Sequence, residues 1–263
     1  MAFGARRRIG TDASCCRHDK IINGKTKIEV CHSPALYPVY ESKDSIVVVI
    51  DILRATSAIC TAFEFGAEKI IPVATVEEAW TYKQNGFLAG AERDAVMVEG
   101  FDFGNSPFSY MDKKIKGSTI VLTTTNGTQA IEAAKKAHKV VIGAFTNFSS
   151  LCGYLISQNR DVLLLCAGWK DKYNLEDALF AGAVTIELAK NPVFDNGKIA
   201  DSAWACRYLY EANIQNRFRF FKNASHSKRL AKLNLKKDIK YCFSLDKTKI
   251  IPVLEKGCLV KLA

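Results

Sequence analysis

The sequence predicts an α/β protein with a three-layer α/β/α architecture and a mainly parallel or mixed sheet, a pattern that admits two similar lobes. Three observations carry this expectation. Strand-like apolar runs alternate with helix-length segments from residue 46 to residue 190, as they do when strands are joined by crossover helices. The runs 46–50 and 162–165 are apolar throughout, as strands covered on both faces are. Three runs end in compact polar clusters: Asp51 with Arg54, Thr56 and Ser57; Thr123 through Thr128; and Cys166-Ala167-Gly168. Ligands of open α/β sheets bind beyond the carboxyl ends of the strands, where helix N-termini present unpaired N–H groups. The three clusters are therefore expected to line one pocket.

The elements follow in order. Residues 1–25 carry Arg6-Arg7-Arg8, adjacent cysteines and no apolar period, and are expected to form a disordered N-terminal extension. Strands are predicted at 27–31, 46–51, 69–73 and 87–89, with helices at 56–65 and 76–84. A loop dense in glycine and acid spans 92–107, and loops of that length in a compact domain are usually functional. Strand 118–123, helix 128–138, strand 139–142, helix 147–157 and strand 161–165 come next. The loop 168–173 then leads into helix 175–190, which opens on Glu176 and Asp177. The last third holds helix 201–210, a basic helical region at 224–238 and a hairpin of 250–253 with 258–261. Residues 26–263 read as one domain, with the basic segment 215–263 packed on it.

Composition narrows the function. A chain of 263 residues with 48% hydrophobic content can bury a core without staples. No apolar run approaches the ~20 residues of a membrane span, and the N-terminus lacks a secretory core, so a cytoplasmic protein that engages no membrane is expected. Nine cysteines occur without a Cys-x-x-Cys spacing, which argues for reduced, mostly buried thiols rather than a zinc or redox site. With four histidines, a metal would be held by oxygen, which favours Mg²⁺. Residues 215–263 contain 13 Lys and Arg against 3 Asp and Glu, so they carry the whole net charge of +10. That excess reads as a field for anionic substrates, a nucleic-acid patch or a solvated helical surface.

The polar clusters supply the chemistry. A carboxylate at the end of a buried strand costs several kcal/mol unless it is paired or binds a cation. Asp51 is accordingly a metal ligand or nucleophile, an ion-pair partner of Arg54, or a helix cap. Arg54 could grip phosphate or sulfonate in a bidentate fashion. The run Thr123 to Thr128 offers hydroxyls, a permissive Gly127 and a helix N-terminus, hence an anion nest or a simple cap. It lacks the lysine and spacing of a Walker loop. Asn105-Ser106-Pro107 closes the acidic loop as a binding element or a surface turn. Glu176 and Asp177 either satisfy the helix dipole or hold Mg²⁺. Cys166 reads as a small buried residue, because no Cys-x5-Arg cradle follows it.

Together the runs Asp51-Ile52-Leu53-Arg54-Ala55-Thr56, Gly100-Phe101-Asp102-Phe103-Gly104-Asn105-Ser106-Pro107, Thr123 to Thr128, and Cys166-Ala167-Gly168 with Leu175-Glu176-Asp177-Ala178 resemble the 2-phosphosulfolactate phosphatase family. The resemblance covers residues 27 to 262. It departs at Ala91-Glu92-Arg93 with Asp94-Ala95, where the family pattern is Gly-Glu-Arg followed by Gly; the charges stay and backbone freedom is lost. The resemblance implies a Mg²⁺-dependent phosphoric monoester hydrolase that converts (R)-2-phospho-3-sulfolactate, or a related small phospho-acid, to 3-sulfolactate, a step toward coenzyme M. Its implied catalytic residues are Asp51, Arg54 and Glu176, with Mg²⁺ held by Asp51 together with Glu176 or Asp177. Substrate would be bound by Thr56, Ser57, Arg93, Asn105, Ser106, Thr124, Thr125, Asn126, Gly127 and Thr128. The nucleophile is water or Asp51 itself, and water is favoured because Leu53 stands where an Asp-x-Asp pair would need a second carboxylate. A homodimer is admissible and nucleic acid is not the main expectation. The rival reading is an RNA-binding protein that uses Phe218, Phe220, Phe221, Tyr241 and Phe243 among the basic residues 217–249.

Overall fold

In the computed structural model, which describes residues 26–213, 215, 221, 222 and 224–262, eleven strands form one mixed sheet flanked by helices, a three-layer α/β/α arrangement. The strands are β1 (Thr26–Cys31), β2 (Ile46–Ile50), β3 (Lys69–Pro72), β4 (Leu88–Arg93), β5 (Val96–Met97), β6 (Thr119–Thr123), β7 (Lys139–Gly143), β8 (Val162–Cys166), β9 (Phe194–Ile199), β10 (Pro252–Glu255) and β11 (Cys258–Lys261). The helices are α1 (Tyr37–Tyr40), α2 (Ala55–Glu64), α3 (Val76–Gln84), α4 (Gly127–Ala134), α5 (Phe148–Gln158), α6 (Leu175–Ala189), α7 (Asp201–Glu211), α8 (Ser225–Lys232) and α9 (Lys236–Cys242). The expected N-terminal extension, residues 1–25, lies outside the described residues. No described helix is long and apolar enough to cross a membrane.

The strand order is β5-β4-β6-β3-β11-β10-β7-β2-β8-β1-β9. Two parallel half-sheets stand on either side of an antiparallel hairpin: β7, β2, β8, β1 and β9 on one side, and β3, β6 and β4 on the other. The hairpin β10–β11 joins them by pairing with β7 and β3. Strands β2 (Ile-Val-Val-Val-Ile) and β8 (Val-Leu-Leu-Leu-Cys) are buried at every position, because β-branched and aliphatic side chains suit a strand packed between two helix layers. Helix α6 meets α7 so closely that a Cβ at Gly182 would lie 2.0 Å from the Cys206 carbonyl oxygen, so this crossing requires glycine.

The structure departs from the expected elements in three places. Strand β4 continues to Arg93, and β5 folds back on it within the stretch expected as loop. Strand β9 pairs with β1, although its Asp195-Asn196-Gly197 reads locally as a turn; pairing at the sheet edge overrides that propensity. The basic region is two helices, α8 and α9, separated by Asn234 in the left-handed conformation at φ 58°.

Three of the five aromatic residues of the rival RNA-binding reading pack into the protein. Phe221 and Phe243 are buried and pack ring against ring at 4.9 Å. Tyr241 is turned inward, its hydroxyl within 3.2 Å of Thr61 and its ring against Phe108. Phe218 and Phe220 lie outside the described residues.

Candidate active site

Asp51 follows β2 directly, and the turn that carries it is locked by its own hydroxyls. Thr56 Oγ1 donates to the Asp51 carbonyl at 2.9 Å and accepts from the Asp51 N–H at 3.2 Å, and Ser57 Oγ donates to the Ile52 carbonyl at 3.0 Å. Both hydroxyls were expected on substrate. They hold the backbone instead, as Ser and Thr readily do near helix starts.

The turn after β6 comes against this one. A Cβ at Gly127 would lie 2.7 Å from Ala55 Cβ and 3.0 Å from Asp51 Oδ2, so only glycine lets the first residue of α4 come so close to the Asp51 carboxylate. Thr124 and Thr128 bond each other: Thr128 N–H donates to Thr124 Oγ1 at 3.1 Å and Thr124 N–H to Thr128 Oγ1 at 3.3 Å. They form a cap, while Thr125 and Asn126 are left facing a pocket.

That pocket, about 50 Å³ in volume, is lined by Asp51, Leu53, Arg54, Glu92, Asp94, Ala95, Asn105, Thr125, Asn126, Trp169, His226 and Arg229. It gathers the turns after β2, β6 and β8, together with α8. Asp51, Leu53, Arg54, Glu92, Asn105 and His226 are buried, and Thr125, Asn126, Trp169 and Arg229 are half-buried. Asn105 Oδ1 is buried and has no hydrogen-bond partner among the described residues. Ser106 lies in an adjoining cavity that shares Arg54, Ala95 and Asn105.

Both expected arginine grips are engaged elsewhere. Arg54 Nη1 donates to Asp238 Oδ2 and Nη2 to the Ala95 carbonyl, each at 2.7 Å. Arg93 donates to the Glu92 carbonyl at 2.6 Å and to Thr123 Oγ1 at 3.2 Å. Asp177 Oδ1 accepts from the Ile52 N–H at 2.9 Å and Oδ2 from the Gly168 N–H at 3.2 Å. It ties the β2 turn to the β8 turn.

Charge is concentrated where water is scarce. Burial raises the Asp51 carboxyl from its ordinary 3.8 to about 7; His226 opposes the rise, and the Glu92 and Glu176 carboxylates add to it. Burial, with Glu176 and Asp51 beside it, pushes Asp177 well above the carboxylate range. Glu176 contacts His226 Nδ1 through Oε1, and its buried Oε2 has no hydrogen-bond partner among the described residues. Burial also drives the Cys166 thiol well above its ordinary value, as befits an inert core residue.

A family profile described as 2-phosphosulpholactate phosphatase matches residues 31–257. A relative from Thermotoga petrophila, named probable 2-phosphosulfolactate phosphatase, is 44% identical over 213 residues, 81% of this chain and 90% of its own. A relative of the same name from Caldanaerobacter subterraneus subsp. tengcongensis is 39% identical over 219 residues, 82% of this chain and 90% of its own. The chain belongs to the 2-phosphosulfolactate phosphatase family.

The family setting raises the question of Mg²⁺. Among the described residues no group of three or more His, Cys, Asp or Glu side chains converges into a metal cage. Mg²⁺ is commonly held by one or two carboxylates plus substrate phosphate oxygens. Asp51 and the unpartnered Glu176 Oε2 suit that chemistry, whereas both oxygens of Asp177 are taken by backbone N–H groups. Glu92, Trp169, His226 and Arg229 line the pocket without being among the site residues expected from the sequence. A signal existed for two of them: His226 and Arg229 are three apart on a basic helix and therefore share a face.

Proposed function

We propose that this protein is a Mg²⁺-dependent phosphatase that hydrolyses (R)-2-phospho-3-sulfolactate to 3-sulfolactate and phosphate, in the cytoplasm, on a route toward coenzyme M. The observation that carries the reading is Asp51, a buried carboxylate at the end of a central strand, against the first residue of α4, in a chain whose relatives are named for this reaction. The seven described cysteines are free, which suits a reducing compartment.

In this reading the start of α4, with Thr125 and Asn126, receives the phosphate, since a helix N-terminus favours negative charge. Asp51 and Glu176 would hold Mg²⁺, which when bound would offset the charge of the phosphoryl group. Asn105 Oδ1 accepts a hydrogen bond from the attacking water and orients it in line with the leaving oxygen. Arg54, fixed between Asp238 and Ala95, supplies positive charge at the pocket wall without rearranging.

The test is turnover with Mg²⁺ on phosphosulfolactate, phospholactate and phosphoglycolate. The reading expects kcat/KM to be highest on phosphosulfolactate. Faster hydrolysis of either of the others would overturn the substrate assignment, and no phosphate release from any of them would overturn the phosphatase.

A further inference from the structure

The substrate proposed above carries anionic groups besides its phosphate, and the two arginines that the sequence offered for them are committed to protein acceptors. Arg229 differs. Its guanidinium lies over the Trp169 ring with Cζ 3.8 Å from the centroid, and both residues line the pocket that holds Asp51. Its Nη2 is buried and has no hydrogen-bond partner among the described residues. A buried guanidinium nitrogen left without an acceptor carries a desolvation cost that a ligand oxygen would remove. Lys170 also reaches Trp169, at 4.7 Å, but its ammonium is 3.2 Å from Asp94.

We propose that Arg229, held over the Trp169 ring, receives the sulfonate of the substrate and so sets specificity for sulfonated phospho-acids. The inference rests on the phosphatase reading and deepens it. Burial assigns the group: the phosphate goes beside Asp51, which is buried, and the start of α4, while Arg229 is half-buried as a residue. In phosphosulfolactate the carboxylate shares a carbon with the phosphate ester, while the sulfonate extends one methylene further. The sulfonate is the anion that extends furthest from the phosphate subsite and so the one Arg229 would take. Guanidinium suits this duty, because it is weakly hydrated, stacks on indole and presents a rigid fork to paired oxygens. Trp169 acts as a positioning residue that fixes the plane of the fork.

The experiment compares wild type, Arg229→Gln and Arg229→Lys on three phosphate esters with Mg²⁺: phosphosulfolactate, phospholactate (no sulfonate) and phosphoisethionate (no carboxylate). The proposal expects Arg229→Gln to lower the kcat/KM ratio of phosphosulfolactate to phospholactate about 10- to 100-fold, mainly through KM, with Arg229→Lys between the two. Phosphoisethionate should lose as phosphosulfolactate does. Equal losses on all three esters, the result of a purely structural role, overturn it. So does a loss concentrated on phospholactate, which would give Arg229 to the carboxylate. Calorimetric binding of 3-sulfolactate to wild type and Arg229→Gln needs no turnover: weaker binding by the variant supports the proposal, and equal binding overturns it. If no ester is hydrolysed, the phosphatase reading fails and this binding comparison still decides the role of Arg229.

Discussion

Arg54 and Asp238, separated by 184 positions in the chain, form a buried ion pair at 2.7 Å with side chains 4% and 7% exposed. The pair joins the turn after β2 to α9 in the basic C-terminal segment. The second guanidinium nitrogen holds the Ala95 carbonyl, so one side chain connects the turn after β2, the turn between β4 and β5, and α9. Removing one partner of such a pair leaves an uncompensated buried charge, which costs about 3–5 kcal/mol. Asp238→Ala is expected to lose stability on that scale in urea unfolding. The double replacement Arg54→Met with Asp238→Leu should lose less, because no charge is stranded.

Ala95 occupies backbone space that favours glycine, with φ 71°. It is held there by its N–H on Glu92 Oε1 and by its carbonyl on Arg54. Ala95→Gly is expected to gain stability of about 0.5–1 kcal/mol while keeping both bonds. The shift of the unfolding midpoint checks it.

Gly127 is needed for proximity rather than for an unusual φ. Gly127→Ala brings a Cβ into contact with Ala55 and the Asp51 carboxylate, and the helix N-terminus must retreat. A displacement of about 1 Å at a catalytic group can cost on the order of 100-fold in rate. The expected outcome is a large fall in kcat with a modest change in the unfolding temperature.

Asp51 makes metal-free stability depend on pH. Its folded carboxyl titrates near 7, far above the ordinary 3.8, so between about pH 4 and pH 7 the folded state binds a proton that the unfolded state has released. Stability from this group is present at acid pH and falls as pH rises through that window. In EDTA, Asp51→Asn should therefore be more stable than wild type at pH 8, with the margin closing toward pH 4. Thermal unfolding of the two proteins across that range checks the sign.

The sheet was legible in the sequence because its central strands are uninterrupted aliphatic runs. So was the meeting of Asp51 with the Thr125-Asn126-Gly127 turn, since strand ends in such sheets converge on ligands. The edge strand β9 was hidden behind an Asp-Asn-Gly that looks like a turn when its partner β1 is unknown. Hydroxyl-rich turns told less than they suggested: Thr56, Ser57, Thr124 and Thr128 satisfy their own backbone, a competition that spacing cannot resolve. His226 and Arg229 enter the pocket from a helix far along the chain. Only the tertiary fold could reveal that a basic surface helix turns part of its charge inward.

The central claim is that Asp51 is the core of a metal-assisted phosphatase site. The most direct measurement is phosphate release from phosphosulfolactate by wild type and Asp51→Asn, each with Mg²⁺ and with EDTA. The account predicts release by wild type with Mg²⁺ alone, and its collapse both in EDTA and in the folded variant. Release that persists in Asp51→Asn, or that ignores EDTA, would contradict it.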